Sequence, residues 1–280
     1  MLSSSLVWVL THMFYNKQRL ALFIIMVLIG APLLGAPVKI VTVIEDFASI
    51  ARSVGGSHVE VNTLIKGSRD LHAVNPKPSM VMKLRKADMI MRLGMKQDSW
   101  VDGIIHVARN SNLFSGEVGY MDCSVGISKL EVPTQNIDGR MGDVHIQGNP
   151  HYWLSPINGK KIAIELRDRL MTIDPPNKQS YIDNTETFIA LLDVSYTRWK
   201  KALEPLATYR FITYHKVWPY FFEAFNLVSL GELEPLPGIA PTTKHILKLK
   251  DTIEDSNAQV IVLSASYFSQ HQGEKFAKLL

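Results

Sequence analysis

The sequence predicts an α/β fold with two lobes joined by one long helix. From Val38 onward, β-rich runs alternate with amphipathic helical stretches, which is the pattern of a parallel α/β sheet. A helical pattern at residues 177–203 interrupts this alternation, and at ~1.5 Å per residue such a helix would be ~40 Å long. A helix of that length can connect two separate sheets as a rigid backbone.

Each Rossmann-like lobe is predicted from its own strands and helices. In the first lobe we expect strands at 38–44, 59–64, 89–93 and near Tyr120, with helices at 46–54, 79–86, 100–108 and 157–171. In the second lobe we expect only three strands, at 210–214, 227–230 and 259–264, with helices at 243–253 and towards Leu280. The predicted divisions are a signal peptide (1–36), an N-terminal lobe (37–175), a linking helix (176–206) and an incomplete, truncated C-terminal lobe (207–280).

Composition places the chain among globular proteins with a substantial core. It has 280 residues, of which 46% are hydrophobic and 20% charged. Beyond the first 36 residues, 28 basic residues face 26 acidic ones, so the charge is close to balanced. No run of Lys and Arg interleaved with aromatic residues occurs, which argues against nucleic-acid binding. The lone Cys123 is expected to be a small buried residue.

The amino terminus has the layout of a secretory signal peptide. Lys17 and Arg19 precede the apolar run 20–34, and Gly35 and Ala36 supply small residues at a cleavage position. An uncleaved membrane anchor is the alternative, although a span needs about 20 apolar residues. In either case the remainder of the chain is expected to be periplasmic or otherwise extracytoplasmic.

Three histidines occupy positions where an α/β protein binds ligands. His72 follows the second predicted strand, His215 directly follows the strand 210–214, and His151 lies just before a helix. Ligands bind outside the carboxyl ends of strands in open α/β sheets. Zinc is suited to three neutral imidazoles plus a carboxylate or water. Spacing alone leaves open that these are three unrelated loop histidines.

Three ordered segments resemble the zinc- and manganese-binding solute-binding proteins of metal-uptake ABC transporters. Residues 67–79 are similar to that family's G-x-D-P-H…P-x-P-S-D segment, 149–156 to its D-P-H-x-W-L-D-P segment and 213–221 to its T-F-H-x-x-x-x-Y-F segment. The resemblance implies two α/β lobes, a backbone helix, and a metal ion bound by His72, His151 and His215 for delivery to a membrane permease. It implies a binding protein, not an enzyme, and we expect it to be a monomer. Zinc is the expected ion ahead of manganese, because manganese prefers more oxygen ligands.

The sequence departs from the family pattern at several positions. Leu71, Met80 and Ser155 replace a proline, an acidic residue and an aspartate, and Ser155 can still cap the helix that begins near Ile157. The family's fourth ligand is a carboxylate after the last strand of the second lobe, and the sequence ends before that strand.

Other side chains can complete or assist the site. The open fourth position is expected to hold water, or Glu232, Glu234 or His271 if a loop brings one of them close. Asp143 and His145 lie on the long segment before His151. They are candidates for transient metal capture, although a solvated loop is the alternative interpretation of His145.

Two other functions remain open at this point. A zinc hydrolase would activate water at the open coordination position, with Asp70 as the nearby carboxylate. The other is a truncated copy that transports nothing, because the sequence ends before the last strand and helix that the family resemblance implies.

Overall fold

Two parallel sheets form the frame of this protein in a computed structural model, which describes residues 35–67, 69, 71, 74–134 and 145–280. Residues 1–34 of the predicted leader 1–36 lie outside the described residues, as do Asp70, His72 and Asp143. Residues Pro37–Leu280 form one compact unit.

The first sheet has four parallel strands in the order β2-β1-β3-β4. Its β-branched and methionine-rich strands are β1 (Val38–Thr42), β2 (Val59–Thr63), β3 (Met89–Arg92) and β4 (Tyr120–Asp122). The connecting helices are α1 (Glu45–Gly55), α2 (Pro78–Arg85) and α3 (Trp100–Ala108). This sheet and the helices packed on it are called the first lobe.

Two consecutive helices follow the first sheet along the chain, α4 (Pro156–Ile173), which packs on the first lobe, and α5 (Lys178–Leu203). With 26 residues, α5 is ~39 Å long. Near its start, Asn184 Nδ2 donates to Val54 O of α1 over 3.0 Å. Near its end, the Tyr196 hydroxyl donates to Ala224 O over 2.6 Å. The helix therefore contacts both halves of the fold, as the sequence predicted.

The second sheet has three parallel strands in the order β6-β5-β7. The strands are β5 (Arg210–Thr213), β6 (Val228–Glu232) and β7 (Val260–Leu263). The helices are α6 (Pro219–Phe225), α7 (Thr243–Ser256) and α8 (Gln270–Ala277). This sheet with its helices is called the second lobe, and its number of strands agrees with the prediction.

The two lobes have cores of different kinds. The first lobe has one continuous core, in which the predicted stripe Ile162, Leu166 and Leu170 of α4 is buried. In the second lobe, successive residues of β5 point to opposite faces of the sheet. Phe211 joins one small apolar cluster and Ile212 joins another.

The start of α4 corrects one expectation. Ser155 occupies the N-cap position, but its side chain makes no capping hydrogen bond. Pro156 begins the helix and has no N–H group, so one of the first-turn amides that lack a partner within the helix is already absent.

Within the part of the chain that the structure describes, no helix combines the length and the apolar character that a membrane crossing requires.

Cys123 is buried, as predicted, with 2% of its surface exposed. Burial raises the pKa of its thiol well above the ordinary value, which keeps it protonated and poorly nucleophilic. We expect a maleimide to label the native protein slowly and the unfolded protein rapidly, as measured by mass spectrometry over time with and without denaturant. Equal labelling rates in the two conditions would contradict this expectation.

Candidate metal centre

A cavity of about 450 Å³ lies at the carboxyl ends of β5 and β6 and is bordered on its other side by residues between 131 and 151. Five of the side chains predicted for the site line this cavity: His145, His151, His215, Glu232 and Glu234. The segments that carry them are far apart in sequence, and the fold brings them together because parallel strands end at one edge of their sheet.

His215 lies two residues beyond the end of β5 and is held on two sides. Its Nδ1 is 2.6 Å from Glu234 Oε2, and both side chains are buried. The ring of Phe268 packs against the imidazole with centroids 5.1 Å apart. Glu234 Oε2 also accepts a hydrogen bond from Gly238 N over 3.0 Å. Because a carboxylate only accepts, Nδ1 of His215 carries a proton and the lone pair of the neutral ring is on Nε2.

His151 precedes a short 3₁₀ turn, Tyr152–Leu154, that fixes it to the first lobe. Tyr152 is completely buried, and its hydroxyl donates to Leu93 O over 2.7 Å. The Nδ1 of His151 is 3.0 Å from Asn149 Oδ1. The imidazole rings of His151 and His215 meet edge to face, with centroids 5.8 Å apart. Two buried imidazoles from different lobes thus lie side by side.

The cavity wall carries an excess of negative charge. Three carboxyl groups, from Glu131, Glu232 and Glu234, face one ammonium group, from Lys216. Burial raises the pKa of Glu232, although Lys216 acts in the opposite direction. Burial alone would lower the pKa of Lys216, but the charges of Glu232 and Glu131 raise it overall. The Lys216 ammonium lies 3.0 Å from Glu131. A cavity of this charge is suited to a cation.

The remaining predicted residues lie in different places. His145 is half-buried in the same cavity wall. His271 lies on α8 with an exposed side chain, away from the residues that line the cavity. His72 and Asp143 lie outside the described residues. Among the residues whose positions are described, no three His, Cys, Asp or Glu side chains are grouped so that they could hold a metal by themselves.

The sequence analysis did not single out Glu131, Asn149 or Lys216, whose side chains line the cavity and contact one another. Asn149 Oδ1 also accepts from the backbone N of His151 over 3.0 Å. An Asn whose side chain binds the amide two residues on is a common turn feature, so the local part of this arrangement had a sequence signal.

Comparison with known proteins agrees with this architecture. The sequence pattern of the family described as "ZnuA: Zinc-uptake complex component A periplasmic" matches residues 40–278. The high-affinity zinc uptake system protein ZnuA of Bacillus subtilis is 22% identical over 249 residues, which cover 88% of this chain and 75% of the relative. The manganese ABC transporter substrate-binding lipoprotein PsaA of Streptococcus pneumoniae is 23% identical over 234 residues, which cover 81% and 72%.

A crystal structure of ZnuA superposes with a TM-score of 0.72 and 26% identity, covering 87% of this chain and 88% of that one. This match confirms the predicted α/β fold of two lobes. The named relatives are components of a zinc uptake system and of a manganese ABC transporter, so the hydrolase alternative gains no support from them. Because the family pattern extends over nearly the whole described chain, this protein belongs to the ZnuA family of periplasmic zinc-uptake components.

Proposed function

We propose that this protein binds a divalent transition metal ion outside the cytoplasm and delivers it to the permease of an ABC transporter for uptake. Zinc is the ion that we favour. The observation that carries the proposal is the pair of buried imidazoles, His151 and His215, in a cavity with excess carboxyl groups. In both rings Nδ1 is next to an oxygen acceptor, which assigns the lone pair to Nε2.

The proposed ligands are the three imidazoles of His72, His151 and His215. Neutral imidazoles favour zinc over manganese, which prefers oxygen ligands. In the family a carboxylate provides the fourth ligand, and here water or a cavity carboxylate would take that position. Glu234 Oε2 already accepts from His215 and Gly238, which favours an orienting role for Glu234 and leaves Glu232 as the carboxylate available to the ion.

The remaining parts of the proposal concern organisation. We propose a signal peptide at 1–36, lobes at 37–175 and 207–280, and a linking helix at 176–206; the two sheets and α5 support these divisions. The protein would act as a monomer, without catalysis and without nucleic acid. His145 on the cavity wall supports a role in metal capture together with Asp143.

The proposal is tested by titrating the purified metal-free chain with zinc and with manganese. We expect one equivalent of zinc to bind more tightly than manganese and to raise the melting temperature, because a ligand that binds only the folded state stabilises it. Calorimetric titration and thermal unfolding measure the two effects.

The same samples distinguish the other functions. Absence of zinc binding, with no shift in melting temperature, would refute metal transport and favour a copy that transports nothing. Hydrolysis of ester or peptide substrates that disappears when zinc is removed would instead favour the enzyme.

A further inference from the structure

We infer that Asn149 is a positioning residue of this cavity, whose amide determines which nitrogen of His151 carries the proton. The inference deepens the proposed function, because a neutral imidazole binds a metal only through the nitrogen that has the lone pair. It concerns a side chain that is itself buried and that is not among the proposed ligands.

The orientation of the Asn149 amide follows from its other partners. Its Nδ2 is 2.8 Å from Lys216 O and 3.2 Å from Glu131 Oε2. A carbonyl and a carboxylate only accept hydrogen bonds, so the NH₂ group of the amide must face them. The two ends of an amide are easily exchanged in a structure, but here the hydrogen-bond network allows only one assignment.

Because the NH₂ group of Asn149 faces Lys216 O and Glu131 Oε2, its Oδ1 faces His151. This oxygen lies 3.0 Å from the backbone N of His151 and 3.0 Å from its Nδ1. An amide oxygen cannot donate, so Nδ1 of the neutral ring must carry the hydrogen and Nε2 the lone pair. The tautomer of His151 is thus determined by acceptors in a different part of the chain.

The anchor of this network belongs to the second lobe. Lys216 immediately follows His215, so one amide binds both His151 and the backbone next to its partner histidine. Tyr220 reinforces the link, since its hydroxyl donates to Asn149 O over 3.1 Å and accepts from Leu130 N over 3.0 Å. Asn149 therefore cannot rotate without breaking contacts between the lobes.

Three substitutions separate this role from a general structural one. Asn149→Ala removes both ends of the amide. Asn149→Asp keeps an acceptor next to His151 but loses the hydrogen bonds that Nδ2 donates to Lys216 O and Glu131 Oε2. Asn158→Ala is the matched control, because Asn158 is also buried and donates to Tyr152 O over 3.0 Å without lining the cavity.

The experiment is ¹⁵N NMR of the histidine side chains in the metal-free full chain, combined with zinc affinity from competition with a chelating dye. We expect wild type, Asn149→Asp and Asn158→Ala to keep His151 as a single tautomer protonated at Nδ1. In Asn149→Ala we expect a mixture of tautomers and a loss of zinc affinity of ~10–100-fold, the usual effect of removing a residue that orients a ligand.

The inference is overturned if Asn149→Ala leaves the tautomer of His151 unchanged, or if it weakens zinc binding no more than Asn158→Ala does. It is also overturned if Asn149→Asp, which keeps an acceptor next to His151, loses the Nδ1-protonated tautomer, and this outcome can be tested even if the alanine variant does not fold. A wild-type protein that shows the expected tautomer but binds no zinc would refute the proposed function while supporting the role of Asn149.

Discussion

His151→Ala and His215→Ala are each expected to weaken zinc binding by more than about 100-fold. Removing a residue that only orients a ligand typically costs up to about 100-fold in affinity, and removing the ligand itself must cost more. The two rings lie 5.8 Å apart between centroids, so a single ion can contact both. Competition titration of each variant against a chelating dye measures the loss.

His106→Ala is the matched control, because His106 is exposed on α3, where its ring packs against Phe114 with centroids 5.2 Å apart. This variant is expected to bind zinc as the wild type does. If His151→Ala or His215→Ala stays within about tenfold of the wild-type affinity, the residue concerned is not a ligand.

Asp98→Ala is expected to lower the free energy of unfolding by about 3–5 kcal/mol, because Arg92 then loses its buried carboxylate and keeps only the half-exposed Asp102 as an ion-pair partner, while two buried amides lose their acceptor. The side chains of Arg92 and Asp98 are 4% and 1% exposed, and their ion pair measures 2.9 Å. Asp98 also accepts from the backbone amides of Leu93 and Gly94 over 2.7 and 3.1 Å. Urea denaturation followed by circular dichroism measures the change.

The exposed ion pair of Arg52 with Glu45 provides the comparison, since these side chains are 55% and 41% exposed. Glu45→Ala is expected to cost less than about 1 kcal/mol. Replacing Arg92 by Met in the Asp98→Ala background should recover part of the loss, because the buried guanidinium that has lost its buried carboxylate is then removed. Equal destabilisation by Asp98→Ala and Glu45→Ala would show that the buried ion pair contributes no more to stability than the exposed one.

Periodicity and composition were sufficient to predict most of the fold. Every predicted strand exists within about three residues of its expected ends, because buried β-rich runs such as Met89–Arg92 are read directly from the sequence. The helix α6 was not predicted, since it is short and its aromatic residues do not produce a clear amphipathic pattern. The sequence does contain two signals of this helix. Pro219 is a residue that a first turn tolerates, and Asn226 is a residue that readily takes the left-handed conformation found just after the helix end.

The position of His215 could be predicted from the sequence, whereas the orientation of the imidazoles could not. His215 follows a parallel strand, so its place at the sheet edge was expected. The orientation of the imidazoles was not, because it depends on partners that only the tertiary structure brings near. Asn149 contacts Lys216 O across 67 residues of sequence, and Glu234 lies 19 residues beyond His215. No local pattern specifies such pairs.

The unequal cores of the two lobes have a consequence for how long the metal-free and the metal-bound protein survive. The second lobe divides its apolar side chains between two small clusters, whereas the first has one continuous core. Regions with few buried apolar contacts open locally at lower free-energy cost. An ion bound by His151 of the first lobe and His215 of the second would have to be released before the second lobe could open around His215, which raises the free-energy cost of that opening. Loading with metal would then reduce how often β5, β6 and β7 become accessible to proteases.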